Sequence, residues 1–280
     1  MQGILLLDKE QNKTSRDMVN ELNHIFDMKK IGHTGTLDPL ATGVLVMCIG
    51  KYTKLVDMLS SLKKEYVAQI KLGIMTDTLD ITGNILKEES FIPPTDDEIK
   101  KVLNSLKGKI IQTIPKYSAK KINGKKLYEY ARNGEDIVLP QNEIEVYNIS
   151  LLDNSNGIIT FKAEVSKGTY IRSLIEMICE RLGIIGTMSS LVRTKQGKFT
   201  IEDAYSIDEV KKGLYKILKA KDVLEYPVYD LSDIEYNKVK NGNKISIKIE
   251  SNYVILLYNN EEVAIYEKDN DLYKAKIMLI

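Results

Sequence analysis

Asp38 stands within Gly32-His33-Thr34-Gly35-Thr36-Leu37-Asp38-Pro39-Leu40-Ala41-Thr42-Gly43, a run with three glycines and one proline. Glycine opens backbone paths that other residues resist, and Pro39 drives the residue before it away from helical angles. A carboxylate on so constrained a loop suits a nucleophile or a general base. A loop aspartate bonded to its own backbone fits the same pattern, and the residues alone leave both readings open. Tyr66 opens an alternating run, where a tyrosine is either packing or an aromatic face for a ligand. Tyr170 and Arg172 fall at a strand-to-helix junction, a common place for a carboxylate or phosphate partner. Asp77 and Asp80 have metal-ligand chemistry but no third partner in the sequence nearby, so turn capping suits them better. His33 alone reads as a loop histidine.

Several elements must hold these residues. Ile4–Leu7 reads as a buried strand. Thr14 or Ser15 caps a helix whose apolar positions Val19, Leu22 and Phe26 follow the helical period. Val44–Ile49 is an apolar strand, and Tyr66, Ala68, Ile70 and Leu72 line one face of another. Thr95-x-x-Glu98 is a capping box before Ile99, Val102, Leu103 and Leu106, with Gly108 as the stop. Phe161, Ala163 and Val165 alternate inward. Ser173-x-x-Glu176 predicts a third capped helix, closed by Gly183, and Ser206-x-x-Glu209 a fourth, carrying Val210, Leu214 and Ile217. Elements of both kinds without a regular β-α-β rhythm predict an α+β fold with a mixed, mainly antiparallel sheet flanked by helices. After Tyr226-Pro227, turn signals at Asn241-Gly242 and Asn259-Asn260 predict short strands. The boundary expected is therefore residues 1–225, then a small all-β module over 226–280.

Composition narrows the function. The 280 residues are 43% hydrophobic and 28% charged with a net charge of +1, which excludes a basic tail protein and an acidic disordered one. No apolar run reaches the length of a membrane-spanning helix. The opening residues lack a basic region and a cleavage site, and read as a strand instead of a signal peptide. Cys48 and Cys179 form no C-x-x-C pair, and a free thiol pair in a reducing, cytoplasmic setting is expected. Two histidines exclude a His-rich metal site. The near-neutral total hides a basic stretch: Lys107 to Arg132 carries eight basic residues and one acid, Glu129. Such a stretch suggests a phosphate-binding surface, with a solvated lysine face as the alternative. From Asp230 to Ile280 the balance is −2.

The Asp38 loop resembles the active-site motif of the TruB family of tRNA pseudouridine synthases, which modify uridine 55 of the T loop. Other blocks carry the same resemblance in family order over about residues 3 to 200. They are Gly3-Ile4-Leu5-Leu6-Leu7-Asp8-Lys9 with Thr14-Ser15, and Lys64-x-Tyr66 leading to Leu72-Gly73 and Thr76-Asp77-Thr78-x-Asp80-x-x-Gly83. Gln112-Thr113-Ile114-Pro115, Tyr117-Ser118-Ala119 and Gly124-Lys125-Lys126-Leu127-Tyr128-Glu129-Tyr130-Ala131-Arg132 follow. Ser166-Lys167-Gly168-Thr169-Tyr170-Ile171-Arg172-Ser173-Leu174 and Leu191-x-Arg193-Thr194 complete the set.

The resemblance implies the pseudouridine-synthase fold, with an RNA-gripping insertion at about 107–140 and, more weakly, a PUA-like C-terminal module. It implies Asp38 as the essential aspartate, Tyr66 as the ring that stacks on the target uracil, and Arg172 as partner of the catalytic carboxylate. Tyr170 and Leu191 become active-site residues, His33 helps hold the flipped-out T loop, and Lys125 and Lys126 belong to the RNA grip. No cofactor is implied, and the chain has neither a Walker loop nor a strand-linked G-x-G-x-x-G. A cytoplasmic monomer acting on the tRNA T stem-loop, with no metal, membrane or obligate protein partner, is the expectation. The rival from another class is a non-catalytic RNA chaperone that opens and refolds the tRNA elbow, which would have no need of a carboxylate at Asp38. The guide-RNA-dependent branch of the superfamily is disfavoured by the lack of long charged tails. Glu10, Asn12, Ile114 and Lys116 depart from the family pattern, outside the implied catalytic set.

Overall fold

Residues 1–280 are described by a computed structural model. The chain divides into two units, each assembled from separated stretches: Met1–Asp38, Val44–Ser60 and Glu202–Ile280 in one, Pro39–Gly43 and Ser61–Ile201 in the other.

The second unit is built on an antiparallel sheet. Its strands Gly186–Gln196, Lys64–Leu72, Ile158–Val165, Gln141–Ser155 and Gly108–Thr113 lie side by side in that order. Lys64–Leu72 alternates between buried and half-buried residues along most of its length, as its apolar spacing dictates. Two longer helices, Asp96–Asn104 and Ile171–Leu182, and the short Leu127–Arg132 belong to this unit. Asp96–Asn104 starts at the Thr95–Glu98 capping box, in which Thr95 Oγ1 accepts from Glu98 N at 3.3 Å and Glu98 Oε2 accepts from Thr95 N at 2.7 Å. It ends at Ser105, and Gly108 starts the following strand instead of stopping the helix. Ile171–Leu182 ends on Gly183, whose φ of 67° is the left-handed conformation that closes a helix at low cost for glycine. The expected Ser173 cap is corrected: the helix begins three residues earlier, on Tyr170, and Ser173 Oγ donates to Thr113 O at 2.8 Å. The apolar spacing was right, but a serine inside the first turn gave a false start.

In the first unit, the strand Gly3–Lys9 neighbours Thr42–Ile49, and Ile31–His33 pairs with the far end of the latter. Leu5, Leu7, Leu22, Leu45 and Met47 form its core with the helix Ser15–Ile25. Thr14, not Ser15, caps that helix. The helix Ile207–Lys211 has its Ser206–Glu209 box, but it stops before Leu214, which is exposed. The same unit contains a four-stranded sheet in the order Val228–Asp230, Tyr253–Tyr258, Glu261–Asp269, Leu272–Met278. Asn259 and Asn260 take φ values of 50° and 64° in the turn between the second and third strands, the hairpin that their types predict. Asn241-Gly242 instead follows the helix Asp233–Val239, which the strand reading of this segment did not foresee. Gly242 N donates to Val239 O at 2.8 Å, so this turn closes a helix.

No helix is long and apolar enough to cross a membrane.

Candidate active site

Tyr66 lies on the buried face of Lys64–Leu72, opposite Arg193 on one neighbouring strand and Ala163 on the other; Ala68 stands opposite Leu191. Residues directly opposed in an antiparallel pair project from the same face. Tyr66, Leu191 and Arg193 therefore share one face of the sheet, at 6%, 6% and 1% exposure. The structure thus brings together Tyr66 and Leu191, and adds Arg193, to which the sequence reading gave no role. Its signal was available: in Leu191-x-Arg193 the alternation that buries the leucine also buries a permanent charge. Lys64, two residues before Tyr66, lies on this face too. Burial, then the charges of Arg193 and Lys167, lower its pKa to about 7. Its Nζ donates to Leu62 O at 2.7 Å.

Thr42 and Gly43 pair in parallel with Val192 and Arg193. Gly43 has a φ of 99°, and a Cβ there would collide with the Arg193 carbonyl oxygen. Only glycine permits this approach.

Tyr170 is clamped by Gln112, a fully buried side chain. Tyr170 N donates to Gln112 Oε1 at 2.8 Å, and Gln112 Nε2 donates to Tyr170 O at 3.0 Å. This pair of bonds takes the place of an ordinary side-chain cap and fixes the start of the helix. Arg172, in the first turn, is 5% exposed. Its Nη1 donates to Thr78 O and its Nη2 to Tyr117 O, each at 3.0 Å, and Nη1 is 4.0 Å from Asp80 Oδ2. The guanidinium thus ties the helix start to the turn after Thr76 and to the start of the basic insertion. Asp80 Oδ1 accepts from Thr82 N at 2.9 Å and from the Thr78 hydroxyl at 3.0 Å. Asp77 accepts from Asn84 N at 2.9 Å. Both aspartates close turns, as their spacing suggested, and no group of three or more His, Cys, Asp or Glu side chains is arranged to hold a metal ion.

Asp38 and His33 belong to the first unit. His33 ends the strand Ile31–His33 opposite Met47, and Thr34 N donates to Val46 O at 3.1 Å. Leu37 is held at both ends of its peptide geometry by one hydroxyl: its N donates to Ser15 Oγ at 2.9 Å, and Ser15 Oγ lies 3.3 Å from Leu37 O as donor. Asp38 is half-buried immediately after this anchor and immediately before Pro39. The loop is thus aimed by the helix beginning at Ser15, the residue that the sequence offered as an alternative cap to Thr14.

Lys125 and Lys126 end a hairpin with Lys121–Ile122 and lead into the helix Leu127–Arg132. Both are engaged inside the insertion: Lys125 pairs with Glu135, and Lys126 Nζ donates to the Tyr128 hydroxyl oxygen at 3.2 Å. The two cysteines are free and buried, and burial pushes each thiol up to about 12, so neither supplies a thiolate near neutral pH.

Residues 23–171 match the model of the TruB family pseudouridylate synthase, N terminal domain. The chain belongs to the TruB family. The likeness extends beyond the matched region. A tRNA pseudouridine synthase B of Caldanaerobacter subterraneus subsp. tengcongensis is 39% identical, over 94% of this chain and 93% of that one. Another, of Clostridium tetani, is 38% identical with both chains covered in full. Among solved structures, a Cbf5-Nop10-Gar1 complex contains a chain that aligns with a TM-score of 0.73 at 25% identity, covering 99% of this TruB-family chain and 85% of that one. The α+β fold with its mixed sheet is accordingly the pseudouridine-synthase fold.

Proposed function

We propose that this chain isomerises uridine 55 in the T loop of tRNA to pseudouridine. The observation that carries this reading is the end-to-end likeness to relatives named tRNA pseudouridine synthase B, one of them covered over its full length. The reaction breaks the N1–C1′ bond, turns the uracil, forms a C5–C1′ bond, and moves a proton from C5 to N1. Nothing is oxidised or reduced and no group is donated, so the chain's own side chains suffice.

The target base is extruded from the T loop, since its reacting atoms are hidden in the folded RNA. Tyr66 gives the extruded uracil a ring, and Leu191 gives it an apolar neighbour on the same sheet face. Stacking of this kind contributes about 1–3 kcal/mol per base. Asp38 supplies the carboxylate, acting at C1′, at C6 of the uracil, or on the C2′ proton. Its placement between the Ser15-anchored Leu37 and the rigid Pro39 supports a group that must point one way. Arg172 serves as partner of the catalytic carboxylate, Tyr170 completes the site, and His33 holds the displaced loop. Lys125 and Lys126, in the basic insertion, meet the RNA backbone. The enzyme acts as a monomer in the cytoplasm.

The test is tritium release from [5-³H]uridine in a T stem-loop RNA. Release by the wild-type chain and none by Asp38→Asn is expected. RNA binding without release would leave the chaperone reading in its place.

A further inference from the structure

We propose that Lys125 and Asn133 form a seat for one RNA backbone phosphate, and that the chain occupies this seat with its own Glu135 carboxylate until RNA displaces it. The inference rests on RNA as the substrate.

Two donors converge on one oxygen. Glu135 Oε1 accepts from Lys125 Nζ at 2.5 Å and from Asn133 Nδ2 at 2.8 Å. An ammonium and an amide aimed at a single anionic oxygen are what a phosphate oxygen requires. The donors are held in place independently of the carboxylate. Lys125 Nζ stands 4.4 Å from the centre of the Tyr130 ring, and the Tyr130 hydroxyl donates to Ile122 O at 3.2 Å, which ties the ring to the hairpin. Asn133 caps the helix Leu127–Arg132, its N donating to Glu129 O at 3.2 Å. Beyond it, Gly134 takes a φ of 67° and Glu135 N donates to Tyr130 O at 3.0 Å, a reversal that carries Glu135 back over the helix end.

The occupant can leave. The side chains of Lys125 and Glu135 are 31% and 44% exposed, so the pair faces water and is of the weak, surface kind. Lys125, then Asn133, holds the Glu135 carboxyl below its ordinary range, so the group remains an anion. Glu129, the one acid between Lys107 and Arg132, is committed elsewhere: its Oε2 accepts from Lys126 N at 3.0 Å to start the helix. Glu135 is therefore a negative charge set against a lysine at the end of a predominantly basic segment.

The exchange leaves a mark on salt dependence. When a phosphate replaces Glu135 on Lys125, the RNA releases a counterion and the freed carboxylate takes one up, so the seat adds almost nothing to the slope of log K against log salt. In Glu135→Gln the seat holds only a neutral amide, whose departure takes up no counterion, and the slope steepens by about 0.7–0.9, one phosphate contact. Affinity for a T stem-loop RNA at low salt rises by about two- to fivefold, the size of an exposed ion pair. Lys125→Ala leaves the slope unchanged in the wild-type chain but removes the added 0.7–0.9 or so in the Glu135→Gln chain.

Titrating the four full-length chains against the stem-loop RNA at several salt concentrations tests this. A Lys125→Ala slope that flattens equally in both backgrounds would mean Glu135 stays off the RNA path, and would overturn the proposal. So would slopes that none of the substitutions moves. RNA binding by the wild-type chain without tritium release would overturn the isomerase reading while leaving the seat standing; no RNA binding at all would overturn both.

Discussion

Arg172 and Asp80 approach to 4.0 Å, while the same guanidinium donates to the carbonyls of Thr78 and Tyr117. Asp80 is in turn fixed by the Thr82 amide and the Thr78 hydroxyl. The planar fork of arginine reaches both carbonyls at once; an ammonium is a point charge and does not. Arg172→Lys is therefore expected to preserve RNA binding within a few fold and to lower turnover by about 10²-fold, the cost of a small misplacement at a reacting centre. Asp80→Asn keeps the turn contacts but removes the charge, and should lower turnover less. Single-turnover rates at saturating RNA separate the two. An unchanged rate in Arg172→Lys would make that residue a structural tie only.

Asp38→Asn retains size and hydrogen bonding and removes the charge. Pseudouridine should fall below detection while RNA binding stays within a few fold of wild type. Appreciable turnover would remove Asp38 from the chemistry.

Tyr66 permits a ring to be separated from a hydroxyl. Tyr66→Leu removes the flat face and should lose about the 1–3 kcal/mol of a base stack. Tyr66→Phe keeps the face; if the hydroxyl assists loss of the C5 proton, it should bind normally and turn over about 10²–10⁴-fold more slowly. Because Tyr66 is buried, rates must be normalised to folded protein. A stable and fully active Tyr66→Leu would exclude the residue from the site.

Lys64 makes stability depend on pH. Its folded pKa is about 7 against an ordinary 10.5. Between these values the unfolded chain holds a proton that the folded chain has released, so protonation favours unfolding as pH falls. Lys64 therefore destabilises the fold most fully below pH 7, and the deficit is relieved as pH rises toward 10.5. Its contribution to the slope reaches at most about 1.4 kcal/mol per pH unit. Denaturant titrations of the wild-type chain and Lys64→Met at pH 7, 8 and 9 should show the variant's advantage shrinking with pH. A constant difference would place the titration elsewhere.

Glu262, 7% exposed, accepts from the Tyr52 hydroxyl at 2.6 Å and from the amides of Ala220 and Lys221 at 2.9 and 2.8 Å. Glu262→Ala strands three donors and should destabilise the chain by about 3–5 kcal/mol. Tyr52→Phe removes one donor and should cost much less. Equal losses would mean the hydroxyl dominates the network.

Local chemistry was legible in the sequence where a signal spans a few residues. The capping boxes at Thr95 and Ser206, the glycine stop at Gly183 and the Asn259-Asn260 hairpin all form as their residues dictate. Errors came where two local signals compete or a signal is weak. Ser173 looked like a cap because serine precedes glutamate by three, yet Gln112, far away in sequence, clamps Tyr170 and starts the helix earlier. The helix Asp233–Val239 escaped notice because Ile234 is exposed and Val239 alone is buried, leaving no apolar period to read. The Arg172 ties to Thr78 and Tyr117, and the place of Arg193 opposite Tyr66, depend on register between distant strands and loops, which no short window contains.

The division of the chain into interleaved stretches bears on how it is made. Ile4 exchanges backbone hydrogen bonds with Leu218, and the Tyr205 amide donates to Leu6 O. During synthesis one edge of the opening strand pairs with Thr42–Ile49 early, but the other leaves the ribosome some two hundred residues ahead of Tyr205 and Leu218, whereas Pro39–Gly43 and Ser61–Ile201 are all translated before residue 202. Translation thus completes the Tyr66–Arg193 sheet first and leaves the outer edge of the amino-terminal strand open to other chains until the last third of the protein emerges. Pauses in translation near residue 200 should accordingly be when this protein most depends on chaperones, and truncations that remove residues beyond 201 should aggregate through the uncovered edge of the Gly3–Lys9 strand.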